Sequence, residues 1–331
     1  MTIFDAGMTR RQYLAATGAL LTVALSRTGH AAALEPIRQG YQTNMWGMPT
    51  YYLMKTGALQ KKGIKVEEFA VPSGNLTMQQ MVARQVDLGT YAGPSFIIGN
   101  ARGGLVAIAV IEHVGKTIRV MGRKDLGLKK IEDLRGKKVA NQTGSSVGNI
   151  FVDQLAPKHG LNKGDYQEVR MNVNDMVSAM AAKTVDAMVC VEPYNAIAEA
   201  DDIANTLIDF SSVDPLPVFM ASTPEFAEKH PETLATYLRV WLDIADDFKN
   251  NPDKVADVVY EFYTSKGYKM SRDTFKKAMA TVEVNPGFPK DLIPYMEKHA
   301  EELIKANKIK AVPDWNKIFR YDLIEKARAM G

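Results

Sequence analysis

One cysteine, Cys190, stands in the 331-residue chain, and a single thiol excludes any internal disulfide. Histidine is nearly as scarce. Of five in all, the four beyond residue 33 (His113, His159, His230 and His299) are widely scattered, with no spacing that pairs two metal ligands. No His-Glu-x-x-His helix or cysteine cluster occurs, and no complete Gly-x-x-x-x-Gly-Lys-Ser/Thr loop, since residue 110, five before Gly115-Lys116-Thr117, is Val. Zinc hydrolysis and P-loop chemistry therefore have no support, and neither metal nor cofactor is expected. Charge of one sign is also lacking: the formal excess is +3, with lysine and glutamate dispersed and no basic block, so nucleic acid is a poor partner. Cys190 follows the apolar run Ala187-Met188-Val189 and reads as a packing residue.

The N-terminus reads as an export address. Arg10-Arg11 precedes an apolar run from Leu14 to Leu25, and Ala31-Ala32-Ala33 follows as a small-residue cleavage site. The arginine pair resembles the twin-arginine type of signal. The run is too short, and too rich in Gly, Ala and Thr, to read as a membrane span. The expectation is a leader over 1–33, a mature chain from Leu34, and a soluble periplasmic protein; no cysteine near the cleavage site suggests a lipid anchor. Losing Arg10, Arg11 and Arg27 against Asp5 lowers the excess from +3 to +1, so part of the basicity belongs to the leader.

What the chain does have is a stretch that occurs twice. Met81-Val82-Ala83-Arg84-Gln85-Val86-Asp87 is echoed ninety-nine residues later by Met180-Ala181-Ala182-Lys183-Thr184-Val185-Asp186, and Pro94 and Pro193 follow in register. Two similar α/β lobes with a ligand between them are implied.

The surrounding pattern agrees. Strands are expected at 37–43, 64–71, 87–91 and 105–111, alternating with helices at 48–55, 76–84 and 95–101. A second unit follows the same order, with a strand ending near Ala140, strands at 166–170 and 187–191, and helices at 147–158, 174–182 and 193–200. Continuous apolar strands between helices imply a mainly parallel sheet covered on both faces, whose ligands sit beyond the strands' carboxyl ends. From Val218 the chain turns to amphipathic helices. Leu234, Tyr237, Leu238, Trp241, Ile244, Ala245 and Phe248 form one apolar face over 231–250, suited to covering the first lobe. The expected lobes are 34–121 with 218–331, and 122–217. The crossings fall near 121–124 and 214–219, with Arg123, Lys124 and Pro215 as hinge residues.

Gly40-Tyr41-Gln42, Val86-Asp87-Leu88-Gly89 leading to Gly93-Pro94, the stretch from Ile131 to Ala140, Gly144-Ser145-Ser146 and Glu192-Pro193-Tyr194 occur in an order that resembles the solute-binding proteins of the nitrate/sulfonate/taurine class. That class is similar in turn to the thiamine-pyrimidine precursor binders. The resemblance implies a type II periplasmic binding protein of two α/β lobes. Such a receptor closes on a small organic solute and hands it to the permease subunits of an ABC importer; a monomer is expected. It also implies pocket residues at the strand-to-helix turns: Gln42, Asn44, Met45 and Trp46; Tyr91, Gly93 and Ser95; Thr143, Gly144, Ser145 and Ser146; Glu192 and Tyr194.

Physical chemistry weighs these residues unequally. Hydroxyls and free N–H groups at the turn 143–146 suit a sulfonate, carboxylate or phosphonate, although Ser145 or Ser146 also reads as an ordinary helix cap. Trp46, Tyr91 and Tyr194 could supply flat walls for an alkyl or aromatic body, or pack within their own lobes. Glu192 would repel an anion and bind an amine or aminopyrimidine, unless it caps its own helix. Arg119, Arg123, Lys124 and Arg170 are candidate cations, and spacing does not choose among them. The leading expectation is capture of a small organic anion. The alternatives are a pyrimidine binder, a receptor serving a membrane sensor, and a pyrimidine synthase; for the last, this single-cysteine chain lacks the cysteine-rich segment that such synthases use.

Overall fold

Strands buried on both faces need helices above and below them, and the first unit supplies both. The computed structural model describes residues 34–268 and 270–331; the leader expected at 1–33 lies outside them. Strands β1 (Ile37–Gln42), β2 (Val66–Val71), β3 (Leu88–Ala92) and β4 (Val106–His113) alternate with helices Met48–Lys55, Gly74–Val82 and Gly93–Gly103. The chain then builds a second sheet from β5 (Ile118–Arg123), β6 (Lys138–Asn141), β7 (Gln167–Arg170), β8 (Ala187–Val191) and β9 (Ala204–Asp209). It returns to the first sheet as β10 (Pro217–Ser222) and later β11 (Glu283–Gly287). The strand orders are β11-β4-β10-β3-β1-β2 and β7-β6-β8-β5-β9.

Both sheets are mixed, which corrects the mainly parallel expectation. β2-β1-β3 and β7-β6-β8 are parallel, but β10 runs antiparallel between β3 and β4, and β5 antiparallel between β8 and β9. The reason is directional. A strand that has just left a crossing must run away from the other lobe, whereas the strands feeding the cleft run toward it.

The first crossing also differs from expectation. β5 pairs with β8 and β9 over its whole length, so residues 118–121 belong to the second sheet and the crossing is 114–117. Arg123 and Lys124 therefore lie at the far end of β5 rather than at a hinge. Pro215 is in the return segment, between β9 and β10, where its carbonyl accepts from Gly115 N at 2.9 Å. A Cβ on Gly115 would sit 2.3 Å from the Asp214 carbonyl oxygen, so the two crossings touch only because residue 115 has no side chain.

The C-terminal helices fold back over the first sheet. Helix Pro231–Asn250 buries Leu234, Tyr237, Leu238, Trp241 and Ile244, and Tyr237 Oη donates to Gln39 Oε1 of β1 at 2.8 Å. On the opposite face helix Leu292–Lys305 packs over Phe96 and Phe219, whose rings stack at 4.9 Å. No helix among the described residues is long and apolar enough to cross a membrane.

Candidate ligand site between the lobes

The parallel strands of both sheets end on the same cleft, and each is followed by a turn into a helix. These turns hold the polar side chains because a helix start leaves N–H groups without intrahelical partners. Ser73 accepts from Leu76 N at 3.4 Å and Ser145 from Gly148 N at 3.1 Å, each capping its helix. Asn44 Oδ1 accepts from Trp46 N at 3.0 Å and shapes the turn after β1.

Two adjoining chambers lie between the lobes. The inner one, about 20 Å³, is lined by Asn44, Trp46, Ser73, Gly74, Asn75, Ala92, Ser95, Gln142, Ser145, Ser146, Val147, Val173 and Val191, none of them charged. The outer one, about 390 Å³, is lined by Ser73, Asn75, Leu76, Gln142, Thr143, Ser145, Arg170, Met171 and Asn172. The lobes meet directly beside the inner chamber: Ser95 Oγ and Ser146 Oγ are 3.0 Å apart, and Met45 N donates to the Glu192 carbonyl at 3.0 Å. The cleft is thus closed.

Of the expected pocket residues, Asn44, Trp46, Ser95, Thr143, Ser145 and Ser146 line these chambers. Trp46 is 5 % exposed, and its indole N–H donates to Thr117 Oγ1 at 2.6 Å, tying the chamber wall to the first crossing. The remaining seven are not among the lining residues. Gln42 lies beneath the cleft, where its Oε1 accepts from Thr90 Oγ1 at 2.7 Å. Met45 and Tyr91 are core residues. Gly93 packs beside Tyr295 and Met296, and Gly144 is exposed in a left-handed turn with φ of 86°. Tyr194 is turned into the protein, its hydroxyl 2.7 Å from Asn174 Oδ1 and 3.4 Å from Tyr268 Oη.

Glu192 is occupied internally. It is fully buried, its Oε2 accepts from Ala196 N at 3.1 Å, and its Oε1 lies 2.9 Å from Arg119 Nη2. Burial pushes its carboxyl up to about 7 against the pull of Arg119 and the Ala196 N–H. Capping its own helix was one of the two uses open to this residue, and the hydrogen bonding assigns that one.

Sequence reasoning missed Ser73, Gly74, Asn75, Leu76, Gln142, Val147, Met171, Asn172, Val173 and Val191. The signal was present. Pro72-Ser73-Gly74-Asn75 is the turn after an expected strand, and the ninety-nine-residue offset carries Ser73 to Asn172 and Gly74 to Val173.

Comparisons with known proteins fit this architecture. A Brucella abortus protein named as a binding protein is 28% identical over 265 residues, 77% of this chain and 79% of its own length. A Bacillus subtilis protein named for binding aliphatic sulfonates is 25% identical over 285 residues, 84% and 80% of the two chains. The alkanesulfonate-binding protein of Xanthomonas axonopodis pv. citri, solved with MOPS bound, superposes with a TM-score of 0.75 at 18% identity, over 87% of this chain and 99% of that one. A more distant relative, 20% identical over 257 residues and 72% of each chain, is the 4-amino-5-hydroxymethyl-2-methylpyrimidine phosphate synthase of Schizosaccharomyces pombe. The fold is that of the periplasmic binding proteins. With residues 46–255 matching the family model described as NMT1/THI5 like, the chain belongs to that family.

Proposed function

We propose that this chain is the extracytoplasmic receptor of an ABC importer and that it closes around a small organic anion, such as an alkyl or aromatic sulfonate, a taurine-like compound or a carboxylate. The observation that carries the reading is the convergence of strand-to-helix turns from two lobes on one cleft lined by hydroxyls and amides, with no carboxylate among the lining residues. Such groups solvate an oxyanion, and excluding water strengthens each of those hydrogen bonds. The solute docks on one lobe, and rotation about the crossings at 114–117 and 210–216 brings the other onto it. Closure then joins surfaces of both lobes into one face that permease subunits can distinguish from the open form. No covalent step is involved. The receptor acts as a monomer in the periplasm, delivered there by the twin-arginine-type leader.

The engagement of Glu192 by Arg119 and Ala196 removes the main reason to expect an amine or aminopyrimidine. The relative named as a synthase is 20% identical, and this single-cysteine chain lacks the cysteine-rich segment expected of that alternative. A thermal-shift panel of sulfonates and carboxylates, with the anion fixed and the body varied, tests the proposal. It expects a stabilising subset that native mass spectrometry finds at one per chain. A panel in which pyrimidines stabilise and no anion does would overturn it.

A further inference from the structure

Four cations were candidates to meet the solute's charge, and the structure separates them. Arg119 is paired with Glu192 at 2.9 Å and Glu199 at 3.2 Å, Arg123 with Asp125 at 2.6 Å and Asp186 at 3.8 Å, and Lys124 with Asp202. Arg170 has no carboxylate within ion-pair distance among the described residues, and it lines the outer chamber. Glu168, two residues earlier on β7, is already engaged: its Oε1 accepts from Asn141 Nδ2 and Thr143 Oγ1, each at 2.7 Å. Leaving a guanidinium unpaired beside a cleft, with no acid among the lining residues, supplies a charge-assisted partner for an oxyanion.

The same chamber carries apolar surface on both lobes. Leu76, 37 % exposed, belongs to the first lobe, and Met171, next to Arg170, to the second. At about 390 Å³ the chamber has the size of a small-molecule site, whereas the inner space of about 20 Å³ has room for little more than a water. We propose that the closed protein holds its solute in the outer chamber, with the anionic group on Arg170 and an apolar body between Leu76 and Met171, the Ser95–Ser146 pair serving as the clasp behind it. This rests on the solute-receptor reading and narrows the solute to an amphiphilic organic anion.

Calorimetric titration with 1-hexanesulfonate and benzenesulfonate, and with the uncharged 1-hexanol and methyl phenyl sulfone, tests it on wild type, Arg170→Gln, Arg170→Lys and Leu76→Ala. The expected result is sulfonate binding that Arg170→Gln weakens about tenfold or more, the scale of a charge-assisted hydrogen bond, and that Arg170→Lys partly restores. Rising salt should weaken wild type more steeply than Arg170→Gln. Leu76→Ala should cost hexanesulfonate several-fold at unchanged salt dependence, and the uncharged compounds should bind none of the four proteins measurably. Sulfonate affinity within twofold of wild type in Arg170→Gln would overturn the assignment of Arg170 while leaving the receptor reading intact. Failure of wild type to bind either sulfonate, or any anion of the wider panel, would overturn both.

Discussion

The two lobes share a backbone and differ in what they hang on it. Arg84 and Lys183, ninety-nine residues apart, both take the left-handed conformation, with φ of 60° and 61°. Three residues on, Asp87 accepts from Arg38 N at the start of β1, and Asp186 accepts from Lys138 N at the start of β6, both at 3.0 Å. Thr223 N and Arg123 N, at the ends of the two inserted antiparallel strands, donate to the Asp87 and Asp186 carbonyls. The repeated heptapeptide is therefore a joint: it ends a helix, turns the chain and fastens the next strand to its neighbour. The proline loops that follow diverge. In the first lobe Ser95 reaches the cleft, whereas in the second Tyr194 and Glu192 are spent inside the protein.

A close approach behind the cleft offers the harshest test of that equivalence. A Cβ on Gly47 would lie 1.8 Å from the Gln42 carbonyl oxygen, and one on Gly148 would lie 2.4 Å from that of Gln142. Backbone atoms cannot yield as a flexible side chain does. Gly47→Ala should therefore cost about 3 kcal/mol or more in urea unfolding, and Gly148→Ala somewhat less, within the range of severe overpacking. Equal stability of either variant and wild type would show that its turn is not built as described.

The paired aspartates come next. Asp87 also takes Nε and Nη2 of Arg38, at 3.0 and 2.6 Å, whereas Asp186 has only a 3.8 Å approach from Arg123 beyond its backbone bond. Asp87→Ala should cost about 2–3 kcal/mol and Asp186→Ala about 1 kcal/mol, the difference being the bidentate partner. Reversal of that order would break the claim that the first joint is the stronger.

The first lobe alone carries the C-terminal helices, and these cross to the second. His299, 3 % exposed in its side chain, lies 3.0 Å from Asp214 Oδ2 in the return crossing and 3.2 Å from Glu302 Oε2, while Gln154 of the second lobe donates to Glu302 at 3.2 Å. Burial pulls the imidazole's pKa down, but the hydrogen bonds to Asp214 and Glu302 more than offset it and raise the value above 6.5. A raised folded value means that this stabilisation is complete below the unfolded pKa and is lost as pH climbs through the folded one. His299→Gln should lower stability by about 1–2 kcal/mol at pH 6 and lie closer to wild type on the alkaline side. Parallel pH profiles for the two proteins would remove the imidazole from the clasp between lobes.

Much of this was legible because it is local or periodic. The helices at 48–55 and 231–250 and the strand at 187–191 coincide with the observed elements, since each is set by its own apolar pattern and flanking turns. What was not legible depends on long-range partners. β9 has an exposed, polar stretch, Asn205 and Thr206, and becomes a strand by pairing with β5. Nothing near Glu192 in sequence announces Arg119, seventy-three residues earlier on the adjacent β5. An aromatic residue in a turn looks the same whether it faces a ligand, as Trp46 faces the chamber, or a neighbour, as Tyr194 faces Asn174. The site's position was readable, therefore, but not the direction of its side chains.

The smallest effect belongs to Glu192, and it discriminates most finely between the proline loops. Glu192→Gln keeps an oxygen for the Ala196 N–H, and Arg119 keeps Glu199. Because burial raises the carboxyl to about 7, the folded protein holds a proton there that the unfolded chain has released, and wild-type stability declines as pH rises from the ordinary carboxyl range toward 7. The glutamine variant lacks that decline, so its melting temperature should match wild type within a few degrees near pH 5 and gain on it by pH 7.5. Its affinity for a bound sulfonate should remain within twofold of wild type. Ser146→Ala, by contrast, breaks the clasp with Ser95 and should change affinity several-fold. A Glu192→Gln variant that shifts affinity as much as Ser146→Ala would mean that the carboxylate reaches the solute and that both proline loops, not one, face the cleft.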